Sequence, residues 1–123
     1  MRRMATAANI LVAVVALAHV WFAVLEAFLW TKPLGLKIFH NTPEKARVTA
    51  VLAMNQGLYN GFLAAGLVWG LLAAAPFASA LKVFFLASVV LAGTLGALTV
   101  SSRILVVQAL PAAVAMALVL ASR

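Results

Sequence analysis

Four long apolar segments alternate with short polar or basic stretches along the chain. They run from about residue 4 to 30, 43 to 75, 80 to 100 and 104 to 121. Because roughly 20 consecutive apolar residues cross a bilayer core, each segment is long enough to span a membrane. The pattern predicts an all-α integral membrane protein, a bundle of four transmembrane helices forming a single membrane domain over residues 1–123.

The breaks between these segments have local causes. Pro33 ends the first helix, since proline lacks a backbone N–H and disfavours helix at the residue before it. The sequence Thr-Pro-Glu at 42–44 is typical of a helix start, with a capping hydroxyl, a proline at the first position and an acid in the first turn. Pro76 is predicted to end the second helix, and Ser79 to cap the third. Residues 31–42 are the one long loop.

Composition supports the membrane interpretation. The chain is 67% hydrophobic, with a mean hydropathy of +1.16, against about 45–50% apolar residues in soluble domains. A soluble fold of 123 residues could not bury so much apolar surface. Cysteine is absent, which excludes disulfides, a thiol nucleophile and thiolate metal ligands.

The formal net charge of +7 comes from basic residues at the ends and loops of the apolar segments. That placement is typical of membrane flanks, where cations meet lipid headgroups, so we expect the lipid bilayer and not nucleic acid as the partner. The basic residues are nearly balanced between the two sides, which favours a cytoplasmic first loop only weakly and leaves dual topology open. The first apolar segment is longer than a signal-peptide core of about 7–15 residues, so a retained anchor is favoured over a cleaved signal.

Polar side chains interrupt the second segment in the run MNQGLYNGF. With about 100° per residue, Asn55, Tyr59, Gln56 and Asn60 fall at about 0°, 40°, 100° and 140° around the helix, on one arc. Polar groups inside a membrane cost free energy unless they have partners. The arc is interpreted as either interhelical hydrogen bonding or the wall of a binding pocket, and the pocket is favoured.

The first segment places His19, Glu26 and Trp30 on one stripe, since Glu26 and Trp30 each lie within about 20° of His19. Gln108 enters from the same membrane side in the fourth segment, just before Pro111. The sequence therefore predicts a one-sided polar pocket that opens toward the first loop. Its predicted members are His19, Glu26, Trp30, Asn55, Gln56, Tyr59, Asn60 and Gln108.

Glu26 is the sharpest of these groups, and two interpretations stay open. It either forms a structural ion pair with a basic residue, or it carries a proton or acts as a general base. His19 is either a satisfied core histidine or the acid–base partner of Glu26, about 10 Å away along the axis. His19 and Glu26 are too few ligands for a metal site, and no nucleotide or phosphate-binding motif is present, so we expect no metal and no cofactor.

Gly57 and Gly61 lie on a different face of the second helix. Their spacing is a GxxxG motif, which lets helices approach closely. The predicted contact is either with a neighbouring helix of the same chain or with a second copy in a homodimer.

The string VLAMNQGLYNGFLAAGLVWG, together with TKPLGLKIF in the first loop and VVQALPAAVA in the last segment, resembles the small bacterial integral membrane proteins grouped as domain of unknown function 1304. The similarity covers almost the whole chain. It implies a multi-pass protein with four helices in the bacterial cytoplasmic (inner) membrane, and it implies no activity.

Three functional hypotheses follow. The leading one is binding or transport of a small polar or amphipathic molecule, with Glu26 as a protonatable site; the chain is similar to small multidrug exporters in size, number of spans and a glutamate in the first helix. The alternative is a membrane-embedded enzyme of isomerase or epimerase type, with His19, Glu26 and Tyr59 as acid–base candidates. The third is a non-catalytic accessory subunit of a membrane complex. Whether the protein is an enzyme stays open.

Overall fold

The structure, a computed structural model, describes residues 2–123, which form helices and connecting turns without a strand in that range. The elements are α1 (Arg2–Ala27), α2 (Pro33–Ile38), α3 (Pro43–Leu72), α4 (Phe77–Thr99), a π-helical turn (Leu105–Ala109) and α5 (Leu110–Ser122). The all-α prediction is therefore confirmed.

Three of the helices are long and apolar enough to cross a bilayer: Arg2–Ala27, Phe77–Thr99 and the combined helix Leu105–Ser122. Together they indicate a membrane protein, as the hydropathy pattern predicted. α3 is longer, at 30 residues, but it is not among the three, because the amides within it lower its hydropathy. A fourth span stays a prediction.

The chain folds into two compact units, each with more contacts inside it than to the other. The large unit comprises residues 2–17 and 63–123, and the small unit residues 18–62. α1 and α3 each continue from one unit into the other.

The large unit has one apolar core to which four helices contribute. Most of its members are alanine and valine, which keep the helix axes close. The buried residues are Ala8, Val12, Val15 and Ala16 from α1, Leu67 from α3, Leu86 and Val89 from α4, and Ala112, Ala115 and Val119 from α5. This core is apolar throughout, so it holds none of the predicted site residues.

The start of the last helix is wound as a π-helical turn. The N–H of Leu110 donates to the carbonyl of Leu105, five residues back, and Pro111 follows within the first turn of α5. A Cβ on Gly93 of α4 would lie 2.8 Å from the Ala109 nitrogen, so glycine is required for α4 to approach this turn. π turns of this kind are common at functional positions.

The small unit contains the end of α1, the short α2 and the first two-thirds of α3. Pro33 is in the first turn of α2, and the preceding Lys32 is extended at φ −85° and ψ 160°, as the residue before a proline prefers. The stretch predicted as loop 31–42 therefore holds a six-residue helix. The predicted cap on α3 is confirmed, since the Lys45 N–H donates to Thr42 Oγ1 at 3.2 Å.

Several predicted helix ends differ from the observed ones. α1 ends at Ala27 and not at Trp30, because the N–H groups of Phe28 and Leu29 make the last helical bonds, to Val24 and Leu25, before the chain turns into the segment that Pro33 begins. Ser79 does not cap the third long helix. It lies inside α4, which starts at Phe77 directly after Pro76.

Candidate functional site

The small unit joins two of the predicted site residues directly. Asn60 of α3 donates a hydrogen bond from its Nδ2 to Oε1 of Glu26, the penultimate residue of α1. Asn60 is buried, with 6% of its surface exposed, and Glu26 is half-buried. The pair ties the end of α1 to the middle of α3.

The partner recorded for Glu26 is thus an amide and not a cation. No lysine or arginine of the small unit forms an ion pair with it in the described chain. An amide has both a donor and an acceptor end. It can donate to a carboxylate and, after rotating by half a turn, accept from a carboxylic acid. Unlike an ammonium or guanidinium partner, Asn60 does not require Glu26 to be ionised.

His19 lies two turns before Glu26 on α1 and is among the most deeply buried side chains, with 1% exposure. Its ring makes an edge contact with Phe22, with centroids 5.1 Å apart, and it also has a further interaction. His19 is therefore a second protonatable group in α1, buried about 10 Å along the helix axis from Glu26.

Trp30 does not continue the α1 stripe, because α1 ends three residues earlier. It is nevertheless fixed to α3 by a hydrogen bond from its indole Nε1 to Thr49 Oγ1 at 3.1 Å. Thr49 in turn donates to the Lys45 carbonyl at 2.8 Å. On its other side the indole lies against Phe39, with ring centroids 4.8 Å apart. Trp30 thus links the turn after α1 to Thr49 of α3 and to Phe39, which follows α2. The ring contact is called the Trp30–Phe39 clamp below.

Small residues line one side of α3, and at Gly57 that side meets α1. Ala46, Ala53 and Gly57 are all buried, at about 180°, 160° and 200° around the helix on the scale with Asn55 at zero. A Cβ on Gly57 would come within 3.0 Å of both the Ala23 carbonyl oxygen and the Ala27 nitrogen. Gly57 therefore lies against a neighbouring helix of the same chain, which was one of the two contacts predicted for it. The other, a homodimer through Gly57 and Gly61, stays a prediction.

This choice of face divides the polar arc. Asn60, at its edge, turns toward α1, whereas Asn55, Gln56 and Tyr59 are exposed. Tyr59 has 60% of its surface exposed, and its ring contact is with Phe62 on its own helix. Three of the predicted pocket residues therefore lie on the outward side of α3, away from the Glu26–Asn60 pair.

Gln108 belongs to the other unit. It is half-buried within the π-helical turn and has an interaction partner. The large unit also contains a surface depression of about 500 Å³, in which none of the predicted site residues takes part. Its lining residues are Pro76, Phe77, Ser79, Ala80 and Arg123.

Two residues of the site were missed from the sequence. Thr49 holds the Trp30 indole, and Phe39 covers it. A signal for Thr49 was present, since it lies 11 residues before Asn60, or about three helical turns, and therefore on nearly the same side of α3. Phe39 carried no such signal, because its position depends on the short helix within the predicted loop.

The observed centre therefore consists of an acid held by a neutral amide, with a buried imidazole deeper in α1 and an aromatic clamp toward the loop. Such a centre can exchange a proton at Glu26 and bind a cationic or hydrogen-bonding group there.

A family model described as Protein of unknown function (DUF1304) matches residues 13–120. Since the match covers most of the chain, the protein belongs to that family, as the sequence motifs indicated. No curated protein and no solved structure matches the chain.

Proposed function

We propose that the protein binds or transports a small polar or amphipathic molecule within the membrane and that Glu26 is its proton-exchanging group. The observation that carries this proposal is the Glu26–Asn60 pair. A purely structural acid in a membrane protein is expected to be neutralised by a cation, because leaving it ionised in an apolar setting is costly. Here the charge of Glu26 is left for a ligand or a proton to balance.

α3 is proposed as the fourth span. Its exposed residues include large apolar ones that suit contact with lipid: Val51, Leu52 and Leu72 are 74%, 70% and 81% exposed. At about 1.5 Å per residue the 30-residue helix is about 45 Å long. It can therefore cross a hydrocarbon core of about 30 Å with its charged first turn outside. The proposed location is the cytoplasmic membrane of a bacterium.

The position of the pair suggests how a ligand reaches it. Glu26 is next to the end of α1, and the residues that follow lead to Trp30 and α2. A molecule that enters from the first-loop side would pass the Trp30–Phe39 clamp before reaching the carboxyl. An aromatic surface followed by an acid is suited to a ligand with an apolar body and a positive charge.

Tetraphenylphosphonium is a suitable probe, because it is a lipophilic cation without a titratable group. Binding to the purified protein in weakly buffered detergent solution is expected to release protons as Glu26 gives up its proton to balance the bound charge. The Glu26→Gln variant is expected to lose this release. Glu44→Gln is the matched control, since Glu44 is the chain's other acid and is exposed in the first turn of α3.

Proton release that persists in Glu26→Gln would show that Glu26 is not the exchanging group. Absence of both binding and release in the unmodified protein would remove the cationic ligand class. The enzyme alternative requires His19, Glu26 and Tyr59 to converge on one substrate atom, whereas Tyr59 lies on the outward side of α3. It stays a prediction, as does the accessory-subunit hypothesis.

A further inference from the structure

We propose that the large unit binds the phosphate group of an anionic membrane lipid where α4 begins. The site consists of Lys82 of α4 and the neighbouring surface depression, to which Ser79 and Arg123 contribute. Lys82 is a charged residue of a membrane-spanning helix that the proposed ligand site at Glu26 does not use. All residues of the lipid site belong to the large unit, so this inference goes beyond the function proposed for the small unit.

Lys82 is held in place by two other helices. Its Nζ donates to Oδ1 of Asn9 on α1 at 2.7 Å. Its Cγ would lie 2.8 Å from a Cβ on Gly70 of α3, so its stem occupies space that the glycine leaves. Ala78 and Val89, which lie within about 40° of Lys82 around α4, are both buried. Lys82 is therefore on the side of α4 that faces the helix bundle, with its ammonium at a defined position.

The positive charge of Lys82 has no counterpart in the sequence of the large unit. Residues 2–17 and 63–123 contain no aspartate and no glutamate, and the partner recorded for Lys82 is the neutral amide of Asn9. An ammonium has three N–H donors, of which this bond uses one. Ionisable residues within membrane-spanning helices commonly mark functional sites. An anion from outside the chain would balance the charge and accept from the remaining donors.

The depression beside Lys82 has the size and the chemistry for a lipid headgroup. Its volume is about 500 Å³, within the range of about 300–1,000 Å³ that small-molecule sites occupy. Ser79 precedes Lys82 by three residues and is therefore its neighbour on the helix surface. The guanidinium of Arg123 can donate two parallel hydrogen bonds to a phosphate. The remaining lining residues are apolar: Pro76, Phe77 and Ala80. They suit the glycerol and the first methylene groups of a lipid.

An aromatic pair favours a lipid over a free phosphate ion as the source of the anion. Phe77, which lines the depression, makes an edge contact with Trp69 of α3, with ring centroids 5.4 Å apart. Both rings are about half exposed, at 52% and 53%. Tryptophan is enriched at the level of the lipid headgroups, so the pair indicates that the depression lies at the depth of lipid phosphates. A free phosphate ion would gain nothing from the apolar lining.

Native mass spectrometry of the full chain in detergent, titrated with phosphatidylglycerol or phosphatidylcholine, measures the affinity for each lipid. Phosphatidylglycerol is expected to bind more tightly. Lys82→Met keeps an unbranched stem but removes the ammonium, so its affinity for phosphatidylglycerol is expected to fall by about tenfold, or about 1.4 kcal/mol. Arg3→Met is the matched control, because it removes the same charge from an exposed residue at the start of α1 and is expected to bind nearly as before. Equal losses in both variants, or no preference for phosphatidylglycerol in the natural chain, would overturn the proposal.

A second variant neutralises Lys82 without changing it. In Asn9→Asp a carboxylate replaces the amide that accepts from Lys82 Nζ, so the lysine acquires a counterion within the chain. This variant is expected to lose the preference for phosphatidylglycerol, as Lys82→Met does. Asn41→Asp adds the same charge in the small unit and is expected to keep the preference. Circular dichroism checks that the helix content of each variant is intact. An unchanged preference in Asn9→Asp would contradict the assignment to Lys82.

Competition with inorganic phosphate distinguishes the two sources of the anion. Phosphatidylglycerol that stays bound in an excess of inorganic phosphate would support the lipid assignment, whereas its displacement would assign the site to free phosphate and overturn that assignment. Failure here is separable from failure of the proposed function. Proton release upon binding of tetraphenylphosphonium depends on Glu26 and is expected to persist in Lys82→Met.

Discussion

The close approach of α1 and α3 at Gly57 can be tested by adding one methyl group. A Cβ at Gly57 would lie 3.0 Å from the Ala23 carbonyl oxygen, 3.0 Å from the Ala27 nitrogen and 3.2 Å from the Ala27 Cβ. Two of these atoms belong to the α1 backbone, which cannot rotate aside as a long side chain can. In Gly57→Ala the two helices must therefore separate by a few tenths of an ångström.

Gly61→Ala is the matched control, because a Cβ on Gly61 meets nothing within 4 Å. Both substitutions replace glycine by alanine inside α3, so the gain in helix propensity, about 1 kcal/mol, cancels when the two variants are compared. What remains is the cost of overpacking, about 1–3 kcal/mol. Gly57→Ala is accordingly expected to have an unfolding free energy about 1–3 kcal/mol below that of Gly61→Ala.

The measurement is unfolding of each purified variant in mixed micelles by increasing mole fraction of a denaturing detergent, followed by circular dichroism. Parallel curves with a lower midpoint for Gly57→Ala would match the expectation. Equal stability of the two variants would refute the reasoning, because it would mean that α1 does not lie against α3 at Gly57. A less stable Gly61→Ala would do so as well and would indicate a contact at Gly61 instead.

Two further predictions concern the hydrogen bonds of the small unit. Asn60→Ala is expected to lower the unfolding free energy by about 1–3 kcal/mol, since the half-buried Glu26 carboxyl loses its partner; in a double-mutant cycle with Glu26→Ala, a coupling energy near zero would show that the pair does not interact. Trp30→Phe keeps an aromatic ring but removes the indole N–H, so a loss of about 0.5–1.5 kcal/mol is expected. Thr49→Val is expected to cost a similar amount and to add little in the double variant, whereas full additivity would mean that the two side chains are independent.

The helices were largely predictable because their causes are local. Long apolar runs define α1, α4 and α5, and the capping of α3 by Thr42 follows from three consecutive residues. The wrong predictions concern helix ends, where the residues next to the end favour one position but the observed helix begins or stops at another. Ser79 is a good cap by type, but α4 already begins at Phe77, so the hydroxyl lies inside the helix.

The polar cluster was predicted as one group, and the structure divides it. On a helix wheel Asn55, Gln56, Tyr59 and Asn60 share an arc, and nothing in the arc itself says which part faces inward. Gly57 decides that, because a Cβ there would come within 3.0 Å of the Ala23 carbonyl oxygen and the Ala27 nitrogen of α1. Asn60 is at the edge of the arc nearest to Gly57, so it alone turns toward Glu26.

Trp30 is a second case in which helical periodicity did not predict the observed contact. Its place on the α1 stripe assumed a helix that ends three residues earlier than predicted. Its contact with Thr49 nevertheless forms, because the turn after Ala27 and the short α2 return the chain toward α3. No periodicity in the sequence encodes that return.

The sequence by itself determined the helical class, the membrane character and the family, since these follow from composition, hydropathy and local motifs. Only the tertiary structure decided which of the polar residues meet. Glu26 pairs with Asn60 and not with a cation, and Asn55 and Tyr59 face outward. The physical reason is that two helices pack most closely where small residues such as Gly57 allow it. That packing sets the orientation of α3, and the polar residues then lie on whichever side of the helix the packing leaves exposed or buried.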